Sequence, residues 1–107
     1  MTVASVWKEK TVKRIMVEGH SGYAEYGYDI VCSSVSTAMI LTANLVSKLS
    51  DNCDIIYDEK KVIIDITINE NDINIRSILD KTMETLLETL ESVHSQYPKY
   101  LKIKYFG

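Results

Sequence analysis

Few side chains in this 107-residue sequence are of the kinds that carry out covalent chemistry: two cysteines, two histidines and scattered carboxylates. Cys32 is the candidate nucleophile. We predict a helix with Asp29 as its N-cap, so that Cys32 lies at about its third residue, where unpaired backbone N–H groups and the helix dipole favour a thiolate. His20 lies upstream, and the segment between them is long enough to bring its imidazole to the sulfur. The pair would form a nucleophile and its base, and the N–H groups at the helix end, including that of Cys32, could stabilise an oxyanion.

The same residues also fit structural roles, and the spacing alone does not decide between them. Free cysteines are often buried for packing, and Asp29 either only caps the helix or also orients His20 as the third member of a triad. Cys53 begins a strand and His94 lies late in a helix, so both are predicted to be structural. A zinc site of two cysteines and two histidines lacks the short paired spacing of such sites. No metal is therefore predicted.

Glycines are concentrated in one segment, with Gly19, Gly22 and Gly27 accounting for three of the four in the chain. The segment 19–28 follows neither the helical nor the strand period, so we predict a flexible loop that gates the site between His20 and the cysteine. It lacks the spacing and the preceding context of a phosphate-binding fingerprint. No cofactor is predicted.

Hydrophobic periodicity predicts seven elements in the order ββαββαβ. They form a two-layer α/β (α+β) domain spanning residues 1–107, with a five-stranded mixed sheet and two helices on one face. Leu45 and Ile78 belong to the predicted apolar stripes of the two helices. The predicted strands are 3–7, 11–18, 54–57, 62–68 and 100–105. The first predicted helix begins at its cap, Asp29, and ends near residues 50–52, and the second follows the N-cap candidates in residues 69–72 and ends before Pro98.

Composition narrows the class of protein further. The net charge is −3 and the pI is near 5.3, which argues against general nucleic-acid binding. No apolar run is expected to approach the eighteen or so residues that cross a bilayer, and the N-terminus lacks the apolar core of a secretory signal. We therefore predict a cytoplasmic protein with no membrane partner. Because a small domain exposes much of its surface, a homodimer that covers the open side of the sheet is also expected.

Two short motifs in the glycine-rich segment and the following helix resemble those of a known family. Residues 19–24 read GHSGYA, and residues 27–36 read GYDIVCSSVS. These match a Gly-His-x-x-x-Ala segment followed by Gly-x-Asp-Ile/Leu-Val-Cys at the start of a helix, the pattern of the ribosomal-processing cysteine proteases called Prp. The order of elements over the whole chain is similar to that of the family's small α/β fold.

The resemblance implies a cysteine endopeptidase that removes a short N-terminal extension from bacterial large-subunit ribosomal protein twenty-seven. The cut follows a hydrophobic segment with a phenylalanine close to the cleavage point. By motif position, Cys32 is the nucleophile, His20 the general base and acid, Asp29 a supporting carboxylate and Ser36 a contributor near the site. Family members are homodimers. The alternative interpretation is a non-catalytic ribosome-associated binding module that keeps the motif only as structure.

Overall fold

A computed structural model describes residues 2–19, 26–59 and 63–107, with only the backbone described for residues 26–29. The elements follow the predicted order ββαββαβ. Their bounds are β1 Thr2–Lys8, β2 Val12–Glu18, α1 Tyr26–Leu49, β3 Cys53–Asp58, β4 Ile63–Ile68, α2 Ile73–Gln96 and β5 Leu101–Phe106.

The five strands form one mixed sheet in the order β3-β4-β2-β1-β5. Neighbouring strands are antiparallel except for β1 and β5, which run parallel in the register Thr2↔Leu101 to Trp7↔Phe106. Helix α1 contacts β3 and β4, α2 contacts β2 and β5, and the two helices contact each other. The predicted fold class, a mixed five-stranded sheet covered by two helices, is confirmed.

The core lies between the helices and the strand residues that face them. Ala4 and Val6 on β1 and Ile15 on β2 are fully buried there, and Met39 on α1 and Leu90 on α2 cover them. At about 25 cal/mol per Å² of buried apolar surface, each large core side chain stabilises the fold by about 1.5–3 kcal/mol. The central position of β1, between β2 and β5, explains why its sequence alternates poorly, since Ser5 on the opposite face is also buried.

Leu45 and Ile78, two members of the predicted apolar stripes, are not buried. Leu45 on α1 is 44% exposed and Ile78 on α2 is 51% exposed, and both line a groove of about 440 Å³ between the outer sides of the two helices. Both positions fit a helical apolar stripe, but the stripe is wider than the contact with the sheet. Periodicity shows which side of a helix is apolar and does not show how far a neighbouring layer covers it.

Helix α1 also corrects the expectation about membrane-spanning length. Ile30–Leu49 has a mean hydropathy of 1.6 and is long enough to cross a bilayer by length and composition. Single serine and threonine residues interrupt the apolar run, but they do not lower its mean hydropathy enough to exclude a membrane-spanning helix by this criterion. Core helices meet the same criterion, and Val31, Val35 and Met39 on α1 pack fully into the core.

The face of the sheet away from the helices carries a row of contacts across four strands, here called the cross-strand ladder. The Asp65 carboxylate on β4 accepts hydrogen bonds from Arg14 Nε at 2.9 Å and Nη2 at 2.7 Å. The Arg14 guanidinium on β2 lies 4.3 Å from the ring centroid of Trp7 on β1, which stacks on Phe106 of β5 at 5.0 Å. Hydrogen bonding to Asp65 raises the pKa of Arg14. The ladder ties β4, β2, β1 and β5 together where no helix covers them.

A second polar cluster joins the end of α1 to the start of α2. The buried Glu70 carboxylate accepts hydrogen bonds from Asn52 Nδ2 at 2.8 Å, Ser50 Oγ at 3.0 Å and the Asn71 backbone N–H at 3.1 Å. Asp72 then caps α2 by accepting from the backbone N–H groups of Asn74 and Ile75, the second and third residues of the helix. The hydrogen bond from Asn52 is the largest of the interactions that lower the pKa of Glu70.

Because the folded-state pKa of Glu70 is lowered, its ionised form stabilises the fold above the ordinary glutamate pKa of about 4.3, and that stabilisation is lost as the pH falls through the lower folded-state value. We expect Glu70→Gln to lower the free energy of unfolding at pH 7 and to reduce its dependence on pH in the acid range. Urea unfolding at about pH 7 and about pH 3.5 measures both. Exposed Glu84→Gln on α2 is the control, and equal acid dependence in Glu70→Gln and the wild type would contradict the assignment.

Candidate active site

Cys32 lines a cavity of about 260 Å³ between α1 and one end of the sheet. The cavity is continuous with the end of β2 at Gly19, and Ser36 of α1 lies on its wall. Its remaining lining comes from β1, β2, the helix face, β4 and the end of β3: Thr2, Val17, Val35, Ile40, Tyr57, Glu59 and Ile64. A half-buried cysteine therefore lines a partly open and largely apolar space.

The helical period places the cavity-lining residues of α1 on one side of the helix. Cys32, Ser36 and Ile40 are spaced four residues apart, so they follow one side of the helix. Val35 on the same side is buried, which fixes that side against the sheet. The prediction that Ser36 lies near Cys32 agrees with this geometry, although its part in any chemistry stays a prediction.

The prediction that Asp29 caps α1 is wrong. The helix begins at Tyr26, so Asp29 is its fourth residue and Gly27 lies in its first turn rather than in the preceding loop. Tyr26, Gly27 and Tyr28 show no helical apolar period, which is why the sequence indicated a loop there. One glycine lowers helix stability by only about 1 kcal/mol, and that is too little to stop a helix whose following turns pack into the core.

The early start of α1 also moves Cys32 from the predicted third position to the seventh. In an α-helix the first four N–H groups lack partners, whereas later ones bond to the carbonyl four residues earlier. The Cys32 N–H is therefore used within the helix, and it is not free to stabilise an oxyanion. The argument from unpaired N–H groups and the helix dipole no longer applies at this position, since the dipole acts within the first turn.

His20 and Gly22 lie outside the described residues, and so does the part of the predicted gating loop from residue 20 to 25. Gly19, however, lines the same cavity as Cys32. The structure thus brings Gly19, the residue before His20 in the sequence, to the cavity that Cys32 lines. The pairing of His20 with Cys32 stays a prediction.

The other reactive side chains lie elsewhere. Cys53 begins β3, is half-buried and packs against the core, and His94 Nδ1 lies 2.6 Å from the Leu101 carbonyl oxygen, to which it donates a hydrogen bond between α2 and β5. Within residues 2–19, 26–59 and 63–107 no three histidine, cysteine or acidic residues cluster as a metal site would require. Both cysteines are free thiols.

Sequence reasoning missed the residues that shape the cavity. Thr2 and Val17 come from adjacent strands, Tyr57 and Glu59 from the end of β3, and Ile64 from β4. None carries a motif, and each is ordinary for a strand or a turn. Only the sheet order places these five positions beside the Cys32 face of α1.

Comparison with known proteins identifies the class to which this fold and cavity belong. The sequence model of the family described as "Cysteine protease Prp" matches residues 1–102. The ribosomal processing cysteine proteases Prp of two Staphylococcus aureus strains, Mu50 and NCTC 8325, are each 28% identical over 104 residues, covering 91% of this chain and 90% of theirs. The chain belongs to the Prp family of ribosomal processing cysteine proteases.

Solved structures show the same fold. The S. aureus ribosomal processing protease Prp in complex with a substrate peptide superimposes with a TM-score of 0.83 at 23% identity, covering 98% of this chain and 99% of that one. The Streptococcus mutans protein SMU.848 gives 0.84 at 24% identity, covering 99% and 94%. A second S. aureus Prp structure, with a covalently linked product peptide, gives 0.78 at 23% identity, covering 98% and 99%.

Proposed function

We propose that this chain is a cysteine endopeptidase that removes the N-terminal extension of bacterial large-subunit ribosomal protein twenty-seven. The observation that carries the proposal is that Cys32 and Gly19, the neighbour of His20, line one cavity. Membership of a cysteine protease family supports the reaction class, and the peptide-bound S. aureus relatives support a peptide substrate. The whole of residues 1–107 acts as one cytoplasmic domain without a cofactor or nucleic-acid partner.

In this mechanism the Cys32 thiolate attacks the scissile carbonyl carbon and forms a C–S bond, while His20 holds the thiol proton. The C–N bond then breaks, and His20 gives its proton to the leaving amine. Water hydrolyses the acyl-enzyme with His20 as base and restores the thiol. Asp29 supports His20, and its position is three residues from Cys32 on the same side of α1. Ser36, which follows Cys32 by one turn, contributes from the cavity wall.

The experiment that tests this proposal is incubation of the protein with a peptide that spans the junction between the extension and the mature ribosomal protein. Mass spectrometry should show one cut at the junction, with many peptide molecules cleaved per protein molecule. A peptide of the same composition in scrambled order is the control. If the junction peptide is bound but stays intact, the chain is the non-catalytic ribosome-associated binding module instead.

We also propose that the chain forms a homodimer, as the resemblance implies. Three exposed apolar side chains share the groove between the helices, where Leu41 is 69% exposed beside Leu45 and Ile78. The open face of the sheet instead carries the charged Arg14–Asp65 pair. The helix groove, rather than the open side of the sheet, is therefore the surface we expect between the two copies.

Sedimentation velocity tests the dimer. The wild type should sediment with twice the 12.2 kDa mass of one chain, and Leu41→Glu should sediment as a monomer because it places a charge in the groove. Ile56→Glu on β3 is a matched control, since Ile56 is also more than half exposed but lies on the sheet. A monomeric wild type, or a monomer produced by Ile56→Glu alone, would contradict the assignment.

A further inference from the structure

A second pocket lies directly beside the Cys32 cavity and is here called the outer pocket. It has a volume of about 290 Å³ and lies between the second half of α1 and the strands β3 and β4. The described residues that line it are Ile40, Ala43, Asn44, Ile55, Tyr57 and Ile64. Apart from Asn44 these side chains are aliphatic or aromatic, as is usual for a pocket that holds part of a ligand.

The outer pocket and the Cys32 cavity share a wall. Ile40, Tyr57 and Ile64 line both spaces. Ile64 is buried, whereas Ile40 and Tyr57 are 43% and 56% exposed. Neighbouring exposed apolar side chains at a concave surface indicate a binding site. A ligand that leaves the Cys32 cavity past Ile40 and Tyr57 therefore reaches the outer pocket next.

The lining residues also give the distance between the two spaces. On α1, the Cys32 cavity is lined from residue 32 to residue 40 and the outer pocket from residue 40 to residue 44. At 1.5 Å per helical residue, their centres lie about 6 Å and about 15 Å along the helix from Cys32. On β3, Tyr57 and Glu59 line the cavity, whereas Ile55 and Tyr57 line the outer pocket. This shift of two strand residues corresponds to about 7 Å, so helix and strand together place the two spaces about 7–9 Å apart.

An extended peptide has the same spacing between alternate side chains. Side chains two residues apart in a strand point to one face and lie about 6.6–6.8 Å apart. Strand β3 lies at the edge of the sheet, where an extended peptide can add as a further strand. At about 3.3 Å per residue, the distances from Cys32 correspond to about the second and about the fourth residue from the scissile bond.

Resting on the protease function proposed above, we propose that the outer pocket is a second substrate subsite. It takes the aliphatic side chain of the residue about four positions from the scissile bond, while the Cys32 cavity takes the side chain about two positions from the bond on the same side. Ala43 and Ile55 are then specificity-determining residues, because they line the outer pocket and are absent from the described lining of the Cys32 cavity.

The test uses junction peptides that carry leucine or alanine, one position at a time, at each position up to the fifth on either side of the scissile bond. About four residues from the bond, the wild type should show a kcat/KM about tenfold or more higher for leucine, because only leucine fills the outer pocket. Ala43→Leu should abolish or reverse this preference, since the larger side chain occupies the pocket itself.

A second variant tests the same pocket without adding bulk to the core. Ile55→Ala removes one aliphatic wall and should weaken the preference for leucine at the same position. Ile56→Ala is the matched control, since Ile56 is the next residue of β3 and its side chain points to the opposite face of the sheet. It should keep the wild-type ratio.

Binding gives a readout that does not depend on turnover. Calorimetry in the Cys32→Ala background should show the same preference for the leucine peptide and its loss with Ala43→Leu. Wild-type cleavage with a leucine preference that neither Ala43→Leu nor Ile55→Ala changes would overturn the outer pocket and leave the protease function intact. Leucine-selective binding that Ala43→Leu abolishes, without cleavage by the wild type, would overturn the protease function alone. An absence of both binding and cleavage would overturn both.

Discussion

Replacing Cys32 by alanine is expected to lower cleavage of the junction peptide by at least about 10⁴-fold, because Cys32 supplies the only thiol among the described residues that line the cavity. The fold should remain intact, since Cys32 is half-buried against a cavity rather than packed in the core. We expect the free energy of unfolding to change by less than about 1 kcal/mol. Steady-state cleavage assays and urea unfolding measure the two quantities on the same protein.

The second cysteine provides the matched control for this experiment. Cys53→Ala removes an equally free, half-buried thiol at the start of β3 and should leave cleavage unchanged. Iodoacetamide labelling read by mass spectrometry compares both thiols within one molecule. Cys32 should label faster than Cys53 at pH 7, and His20→Ala should slow only the labelling of Cys32. Cleavage by Cys32→Ala at the wild-type rate would contradict the assignment of the nucleophile.

Replacing Arg14 by alanine is expected to destabilise the fold by about 2 kcal/mol without loss of cleavage. The change leaves the Asp65 carboxylate, whose side chain is 6% exposed, without either of its hydrogen bonds from Arg14. Removing one partner of a fully buried pair costs about 3–5 kcal/mol, and the value expected here is smaller because the Arg14 side chain is 37% exposed and water replaces part of its contact. Against a typical total stability of about 5–15 kcal/mol this is a large loss.

Two further variants show whether the unpaired carboxylate is the cause. Arg14→Ala with Asp65→Ala should be less destabilised than the sum of the two single changes, since neither charge is then left alone. Lys13 precedes Arg14 on β2, and its Nζ lies 3.2 Å from the Glu9 carboxylate in an exposed ion pair. Lys13→Ala removes this pair and should lower the free energy of unfolding by less than about 0.5 kcal/mol. If Arg14→Ala and the wild type unfold at the same midpoint urea concentration, the cross-strand ladder does not stabilise the sheet.

The order of elements was predictable because each carries a strong local pattern. In β4, Ile64, Ile66 and Ile68 alternate with less apolar residues, and the structure buries all three against the helices. In α2, Asp72 supplies the cap that an aspartate before an apolar run indicates. Such signals are contained within a few neighbouring residues and need no knowledge of the rest of the fold.

The start of α1 and the extent of helix burial were not predictable in the same way. Three residues with no helical period, Tyr26, Gly27 and Tyr28, are helical because the turns that follow them are held by Val31 and Val35 in the core. Leu45 and Ile78 are apolar yet exposed because the sheet does not reach them. In each case a contact between layers overrides a local preference.

Some residues of the candidate site could be found from the sequence, and others could be found only from the structure. Cys32, His20, Asp29 and Ser36 were identified because their residue types and spacing match a family pattern. Thr2 and Val17 carry no such pattern, and they reach the cavity through the pairing of β1 with β2. The shape of a cavity that depends on the order and register of strands cannot be read from a motif.

The parallel pairing of β1 with β5 joins strands from opposite ends of the domain. The Thr2 backbone N–H donates to the Tyr100 carbonyl at 3.1 Å, and β1, which supplies part of the wall of the Cys32 cavity, is held on one side by Leu101–Phe106. A nascent chain cannot complete that pairing until residues near 106 have left the exit tunnel of the ribosome. This wall of the cavity therefore gains its last neighbouring strand late in synthesis, after β2, β3 and β4 have been made.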